Sequence, residues 1–343
     1  LRLTAVYSVM KDFRYTWSMQ CFGDVLSNDA TYSGSSNDAQ TFTLLENYQY
    51  QADHTEILNK YRYSYQCINK ANLFIRDTEM ADDALFSKYN REQMIGEAKF
   101  IRAYTYFELV KTFGGVPCYT GVLDLDHERL GRASVEEIYS VIEQDLNDAV
   151  SVLPKKSEVA NYESSYAGRI TKGAAIAMQT RIYLYEKKYD EVKKAFEKFQ
   201  NECGGEYSLV APEDYTWQFS LDGEHCSSSI LEVNMYNSST QSSYNVNNGN
   251  RHVLMSMPRN MTIGFGCAQP TQALADAYDA EGDVIRKKTT LLSTEEAIEI
   301  ETAAKGDVAP VTDDRTGWYN RKLYLAPGQR EENRGNNQPT NLR

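Results

Sequence analysis

The sequence has few of the residues from which metal and catalytic centres are built. Its 343 residues include four histidines and six cysteines, and no two cysteines form a C-x-x-C pair. This composition gives little support to a zinc site. The histidines are scattered and no G-x-S-x-G motif occurs, so a serine hydrolase centre has no support either. We therefore predict no catalytic activity, no metal site and no cofactor.

Acidic residues are too common to identify a catalytic pair. A glycosidase needs two carboxylates that flank one bond, and candidates such as Asp24 and Asp29 are easily found among 48 acidic residues. Asp279, Glu281 and Asp283 alternate along the chain but do not follow the order of an EF-hand loop. We predict a charged turn at these three positions.

Basic residues and long apolar runs are also in short supply. The chain has 36 basic residues against 48 acidic ones and a net charge of −12, which argues against nucleic-acid binding because that function needs a basic face. No apolar stretch approaches the roughly 18 residues of a membrane span. The chain starts at Leu1 inside a predicted helix, without a signal peptide, so we expect any export signal or lipid anchor to lie outside this sequence.

The cysteines are dispersed along the chain, which leaves their redox state open. An exported protein could form three disulfides from six cysteines, but buried thiols also serve as small apolar side chains. We predict mostly free thiols, with Cys203–Cys226 as the favoured pair if any disulfide forms. The six positions are Cys21, Cys67, Cys118, Cys203, Cys226 and Cys267.

Apolar residues recur at helical spacing throughout the first 203 residues. The clearest helix covers residues 91–113 and ends at two glycines followed by Pro117. The next helix opens with Ser134 and Glu137, the pattern of a capping box. Small residues at 173–177, a bulky cluster at 183–185 and a short turn into another helix are typical of a diverged TPR hairpin. The predicted helices cover roughly residues 1–23, 55–78, 91–113, 134–153, 171–187 and 189–201.

The pattern changes after residue 203. Residues 229–235 look strand-like, and the polar run at 237–250 cannot bury enough apolar area to belong to a core. One further helix is predicted at about 271–278. We predict a mainly α fold in two parts: a helical core with TPR-like hairpins at residues 1–203 and a loop-rich lobe at 204–343.

Five segments carry recognisable motifs in a fixed order. The longest, at residues 96–121, reads GEAKFIRAYTYFELVKTFGGVPCYTG. The others are residues 61–72, 132–154, 168–185 and 264–286. Together they resemble the SusD/RagB family, which implies a TPR-like α-α superhelix with a loop-rich second lobe. The chain departs from the family pattern at Arg343, where members normally continue into further C-terminal helices that are missing from this chain.

The resemblance also implies a function. SusD-like proteins are outer-membrane lipoproteins on the cell surface that cap a SusC-like TonB-dependent transporter. They deliver oligosaccharides or polysaccharides to it, and in some members peptides, without catalysis. Membrane attachment would depend on a lipid anchor outside this chain. The alternative is a TPR-type scaffold that binds a protein or peptide in its groove, or a peptide-binding nutrient receptor.

A glycan binder needs flat aromatic rings for stacking and polar groups at their edges. In the family, the glycan surface tends to form from an early loop and from loops of the later lobe, here residues 28–36 and 215–265. Trp217 and Trp318 could instead fix loops onto the core, because large rings also stabilise packing. The candidate ligand-binding residues are Asp29, Tyr32, Trp217, Tyr236, Tyr244, Arg251, Trp318 and Tyr319.

Overall fold

The computed structural model describes residues 2–33, 42–86, 90–123, 130–162, 166–235, 249–311 and 314–330. Long helices fill the described residues up to position 203, and shorter helices, turns and loops follow. The helices of the first part are α1 (Arg2–Met10), α2 (Phe13–Gln20), α3 (Thr55–Glu79), α4 (Arg91–Phe113), α5 (Val135–Val152), α6 (Lys172–Tyr185) and α7 (Tyr189–Cys203). Those of the second part are α8 (Arg251–Ser256), α9 (Gln272–Ala280), α10 (Val284–Thr290) and α11 (Thr294–Lys305).

Local capping explains why several helices begin and end where the sequence predicts. The Asn90 side chain accepts a hydrogen bond from the Gln93 amide at 2.9 Å at the start of α4, and Gly114 ends this helix with a φ of +66°. At the start of α5, the Ser134 hydroxyl accepts from the Glu137 amide at 3.1 Å, and Glu137 accepts from the Ser134 amide at 2.7 Å. This reciprocal pair confirms the predicted capping box.

The first predicted helix, residues 1–23, is divided in the structure. Asp12 has extended backbone angles between α1 and α2, and its carboxylate accepts from the Arg14 amide at 3.0 Å. Asp competes for backbone donors in this way and so favours a new helix start over an uninterrupted helix. After α2 the chain continues into a π-helical turn at Cys21–Val25.

Helices α3 to α7 pack mainly on their neighbours in sequence: α3 on α4, α4 on α5, α5 on α6 and α6 on α7. This is the arrangement of a helical repeat superhelix. Helices α4 and α5 approach closely at Gly96, where a Cβ atom would stand 2.5 Å from the Val152 Cγ2 atom. Fully buried side chains such as Ile101, Phe107 and Ile142 fill the core between these helices.

Motif residues of the helical core form a buried ion pair. Arg102 donates two hydrogen bonds to Asp145, each at 2.7 Å, and a third to the Asn72 side chain at 2.6 Å. Arg102 and Asp145 are almost fully buried. The pair joins α3, α4 and α5, so these three motif residues have a structural role.

A second buried group ties α1 to the helical core. Tyr7 and Arg169 both donate hydrogen bonds to the Glu97 carboxylate of α4. Burial raises the pKa of Glu97, although both donors act in the opposite direction. Glu97 and Arg169 also belong to the motif segments, and their role here is again structural.

The second part of the chain forms a loop-rich lobe that incorporates the early segment. Strand β1 (Ala30–Thr31) pairs antiparallel with β2 (Gln269–Pro270), and β3 (Leu291–Ser293) pairs antiparallel with β4 (Trp318–Asn320). Residues 30 and 31 therefore belong structurally to a lobe that begins more than 170 positions later. The division of the chain into two domains at residue 203 stays a prediction.

The predicted strand at residues 229–235 is wrong. These residues form no strand of a sheet, although Val233 makes an isolated β-bridge, and Leu231 and Val233 pack against the helical core. The alternation of apolar residues therefore reflects packing on helices.

All six cysteines lie in the described ranges and are free thiols, which confirms the prediction of mostly free thiols. The pair Cys203–Cys226 does not form. Burial raises the pKa of Cys203 to about 11, and the Cys226 Sγ atom lies 3.2 Å from the Ser228 hydroxyl. Among the described helices, none has the length and apolarity to cross a membrane.

Candidate functional site

The early loop is held firmly against the second lobe. The carbonyl oxygens of Asn28 and Asp29 accept hydrogen bonds from the side chain and amide of Thr271, both at 2.9 Å. Asn28 has a left-handed backbone with a φ of +71°, which asparagine tolerates better than most residues. One apolar cluster contains Val25 from the π-helical turn before this loop, Trp17 from α2 and Cys267 from the second lobe. The exposed Asp29 side chain therefore projects from a fixed backbone.

Asp24, in the π-helical turn just before this loop, and Lys322 of the second lobe carry opposite charges. Both residues are half-buried. Burial raises the pKa of Asp24, the charge of Asp29 adds to that rise, and Lys322 opposes it. Burial lowers the pKa of Lys322, and Asp24 opposes that change. The Lys322 Nζ atom lies 4.6 Å from the ring centroid of Phe219, a distance typical of a cation–π contact.

Trp217 lies in the short 3₁₀ turn Trp217–Phe219, two residues before Phe219. The turn is fixed to α10 by a hydrogen bond of 2.7 Å between the hydroxyls of Thr216 and Thr289. Gly223 packs so closely against it that a Cβ atom would stand 2.3 Å from the Trp217 carbonyl oxygen. The backbone is therefore tightly held, while 44% of the Trp217 surface stays exposed.

Trp318 lies on β4 and contacts Lys287 of α10. Its indole nitrogen donates to the Gln272 side chain at 2.9 Å. The Lys287 Nζ atom is 5.5 Å from the centre of its ring and 2.6 Å from the Asp279 carboxylate. Trp318 is half-buried, so it both supports the lobe and contributes an aromatic edge to the surface.

These contacts link the parts of the lobe in series. The early loop contacts the start of α9, α9 contacts Trp318, and Trp318 contacts α10. Helix α10 then contacts the Trp217 turn, and Lys322 lies over the Phe219 ring of that turn. We use the name tryptophan surface for Asp24, Asp29, Trp217, Phe219, Gln272, Trp318 and Lys322.

The tryptophan surface combines the groups that carbohydrate recognition requires. Aromatic rings offer flat apolar faces, the two carboxylates accept hydrogen bonds, and the ammonium and amide groups donate them. These groups are positioned by backbone that is hydrogen-bonded on both sides. The arrangement therefore suits binding of a polyhydroxylated ligand with apolar ring faces.

Several predicted site residues lie elsewhere. Tyr32 is 1% exposed and its ring stacks on Phe42 at 3.8 Å between centroids, and Tyr319 is also buried. Neither ring is open to a ligand, so these two predictions are corrected: both tyrosines hold loops in place. The Arg251 guanidinium packs over the Phe13 ring at 5.0 Å and is not part of the tryptophan surface. Tyr236 and Tyr244 lie outside the described residues.

The prediction of a charged turn after α9 is confirmed. Asp283 accepts from the Arg286 amide at 3.0 Å and so caps α10. Asp279 pairs with Lys287. Both carboxylates thus have local partners within the turn and the helix that follows it.

Four residues of the tryptophan surface were not identified from the sequence as ligand-binding candidates: Asp24, Phe219, Gln272 and Lys322. Weak signals exist in their spacing, since Asp24 precedes Asp29 by five positions and Phe219 follows Trp217 by two. Lys322 follows Trp318 by four positions. Only the fold shows that these short segments converge.

A cleft of about 690 Å³ lies between the helical core and the second lobe and shares Phe219 with the tryptophan surface. Its lining is mainly apolar and includes Met19, Tyr104, Met178 and Phe219. His252 on its wall is bonded to the Thr16 hydroxyl at 2.7 Å and to the Gln20 side chain at 3.0 Å. Burial lowers the pKa of His252 to about 4, so the ring is neutral and joins the two parts of the molecule.

Comparison with known proteins gives a consistent result. The SusD-like family model described as "Starch-binding associating with outer membrane" matches residues 3–184. SusD-like protein P25 of Formosa agariphila is 31% identical over 130 residues, an alignment that covers 36% of this chain and 23% of that protein. The match therefore spans less than a quarter of this curated relative.

Solved structures resemble the chain over almost its whole length. A laminarin binding SusD-like protein aligns with a TM-score of 0.79 at 23% identity, over 98% of this chain and 74% of that one. Surface glycan-binding protein A from Bacteroides thetaiotaomicron, in complex with laminarihexaose, aligns with a TM-score of 0.79 at 19% identity, over 100% of this chain and 74% of that one. These likenesses confirm the predicted mainly α, TPR-like fold with a loop-rich second lobe.

Proposed function

The chain belongs to the SusD-like family, and we propose that it is a non-enzymatic surface protein that captures oligosaccharides or polysaccharides at the tryptophan surface. The observation that carries this proposal is the exposed ring of Trp217 on a tightly held turn, close to Phe219 and Lys322. The family description names starch binding and association with the outer membrane. A structurally similar protein was solved with laminarihexaose bound, which makes a glycan the first ligand to test.

The tryptophan surface matches a pyranose ring in both its apolar and its polar groups. One face of a pyranose ring carries C–H groups that stack on indole, while its hydroxyls project around the edge and need directional partners. Asp24 and Asp29 can accept from such hydroxyls, and Lys322 and Gln272 can donate to ring and hydroxyl oxygens. Because the backbone of these residues is already ordered, binding costs little conformational entropy.

We also propose delivery of the glycan to a SusC-like TonB-dependent transporter, with attachment to the cell surface through a lipid anchor. Support comes from the hairpin of α6 and α7, where four large apolar side chains are each more than half exposed. A cluster of this kind on a soluble helix pair is typical of a protein contact. The four residues are Leu184, Tyr185, Tyr189 and Phe196.

Affinity electrophoresis tests the glycan proposal. Wild-type protein would be run through gels that contain laminarin, soluble starch or another soluble glycan, beside Trp217→Ala and a control variant. The control is Tyr189→Ala, which removes an exposed aromatic ring from the α6–α7 hairpin. We expect at least one glycan to retard the wild type and the control. Trp217→Ala should lose about tenfold or more in affinity, if stacking of a sugar face on indole is comparable to the roughly 1–3 kcal/mol that a base gains on an aromatic side chain.

The result has clear alternatives. If Trp217→Ala is retarded as strongly as the wild type, with helicity unchanged, the glycan does not bind at the tryptophan surface. No retardation by any glycan would favour the peptide receptor or scaffold reading. In that case binding of peptides would be measured next.

A further inference from the structure

The cleft between the helical core and the second lobe has the size and lining of a small-molecule site. Its volume of about 690 Å³ falls within the range of roughly 300–1,000 Å³ that is usual for such sites, whose walls are also mainly apolar. Met10, Met19 and Met178 line it, and flexible thioether side chains adapt to the shape of an apolar ligand. The cleft is therefore a candidate site in its own right.

One face of α6 runs along this cleft. Ala174, Ala177, Met178 and Arg181 all line it, and their spacing of three and four residues places them in one row on a helix. The two small alanine side chains leave room beside them. The row ends at Arg181, which is exposed and makes no ion pair or hydrogen bond with any residue that the structure describes. Its guanidinium is thus available to a ligand.

Tyr104 of α4 lies at the same end of the cleft as Arg181. Helices α4 and α6 are parallel, since each runs antiparallel to α5, and the rings of Phe107 and Tyr185 meet at 4.9 Å between centroids. Tyr104 precedes Phe107 by three positions and Arg181 precedes Tyr185 by four, so both lie about one helical turn before this contact. The Tyr104 hydroxyl donates to the Met19 sulfur at 3.7 Å, which is a weak acceptor.

The charges of the cleft indicate the chemistry of its ligand. No Asp or Glu is among the described residues that line it, although the chain has 48 acidic residues and 36 basic ones. From this arrangement we infer that the cleft binds an aliphatic carboxylate of the fatty-acid type. The carboxylate lies on Arg181 and Tyr104, and the chain lies along the methionines and the alanines of α6. This site is separate from the tryptophan surface and does not depend on glycan binding.

Both parts of such a ligand find partners in the cleft. A guanidinium holds a carboxylate through two parallel hydrogen bonds, and the Tyr104 hydroxyl can donate a third. Each CH₂ group that moves from water onto the apolar wall stabilises the complex. The net charge of −12 opposes an anion at long range, but physiological salt screens charges that are more than roughly 8–10 Å apart. The contact with Arg181 therefore decides the preference.

Isothermal titration calorimetry with decanoate, neutral decanol and cationic decyltrimethylammonium tests this inference, each probe below the concentration at which it aggregates. We expect the wild type to bind decanoate about tenfold or more tightly than decanol, and the cation most weakly. Arg181→Met should lose the preference for decanoate and keep its affinity for decanol. Arg181→Lys should keep part of the preference, because lysine retains the charge but not the planar fork. Ala177→Leu, which fills the cleft, should weaken the binding of both decanoate and decanol.

The matched control is Arg62→Met, which removes an exposed arginine of α3 that does not line the cleft and should bind all probes as the wild type does. Circular dichroism shows whether each variant keeps the fold. A wild type that binds decanoate no more tightly than decanol, or a folded Arg181→Met that keeps the preference, would overturn the inference. Glycan retardation of Arg181→Met should equal that of the wild type, so failure at one site is distinguishable from failure at the other.

Discussion

Single buried charges account for much of the specificity of the helical core. Arg102 is surrounded by Asp145, Asn72 and the carbonyl oxygen of Thr120, so its guanidinium is well satisfied away from water. A buried ion pair of this kind adds little stability compared with an apolar pair, but loss of one partner is costly. Arg102 therefore links Asp145 and Asn72, and a change at any of the three removes a hydrogen bond from the others.

Asp145→Asn tests this view. The substitution keeps the shape of the side chain but leaves the buried charge of Arg102 without a counter-charge, and we expect the free energy of unfolding to fall by about 3 kcal/mol. Urea unfolding followed by circular dichroism measures the change. The double variant Arg102→Met with Asp145→Leu should be closer to wild type than Asp145→Asn, and a double variant less stable than the single one would contradict the argument.

Glu56 gives the fold a predicted dependence on pH. Its carboxyl is buried near the start of α3, and within the described part of the chain its Oε2 atom has no hydrogen-bond partner. Burial raises its pKa from 4.5 to about 7. The folded state then holds a proton that the unfolded state releases, so stability should decline as pH rises from about 4.5 to about 7 and level off above that.

Glu56→Gln removes this titration. We expect the variant to exceed the wild type in free energy of unfolding at pH 8, by an amount on the order of 2 kcal/mol, and to lose that advantage at pH 4.5. Chemical unfolding at a series of pH values provides the measurement. If the free energies of unfolding of wild type and variant change in parallel between pH 4.5 and 8, Glu56 does not cause the pH dependence.

At the scale of elements, local signals allowed some boundaries to be predicted and tertiary packing decided others. Helix α4 has the predicted bounds because Asn90 and Gly114 are strong start and stop signals. The break at Asp12 follows from the local cap that its side chain makes, whereas the conformation of residues 229–235 depends on their packing against the helical core. The spacing of apolar residues alone does not show whether an alternating segment packs on helices or pairs in a sheet.

The α6–α7 hairpin carries a prediction of its own. We expect a variant with Tyr185→Ala and Tyr189→Ala to lose co-purification with a SusC-like transporter, because these exposed rings would be buried in the contact. Glycan binding at the tryptophan surface should be unaffected. Undiminished co-purification of this variant would show that the hairpin is not the contact surface.

At the scale of the whole molecule, function depends on residues that are far apart in sequence. Asp29 and Thr271 are far apart in sequence, yet the Thr271 amide donates to the Asp29 carbonyl oxygen at 2.9 Å. The resemblance placed the glycan surface in an early loop and the later lobe, and the structure joins these regions through β1 and β2. It could not separate the exposed Trp217 from the buried Tyr32 and Tyr319, because burial depends on long-range contacts.

The three tryptophans permit a direct test of where a glycan binds. Trp17 is 3% exposed and stacks on Phe13, so its emission should respond little to a ligand. In a Trp318→Phe variant, Trp217 is then the one exposed indole among the three. The glycan that gives retardation in electrophoresis would be titrated into this variant while fluorescence is recorded. We predict a saturable change in emission that disappears in the Trp217→Phe, Trp318→Phe double variant. Unchanged emission at saturating glycan, with binding verified by electrophoresis, would place the glycan away from Trp217 and contradict the central claim.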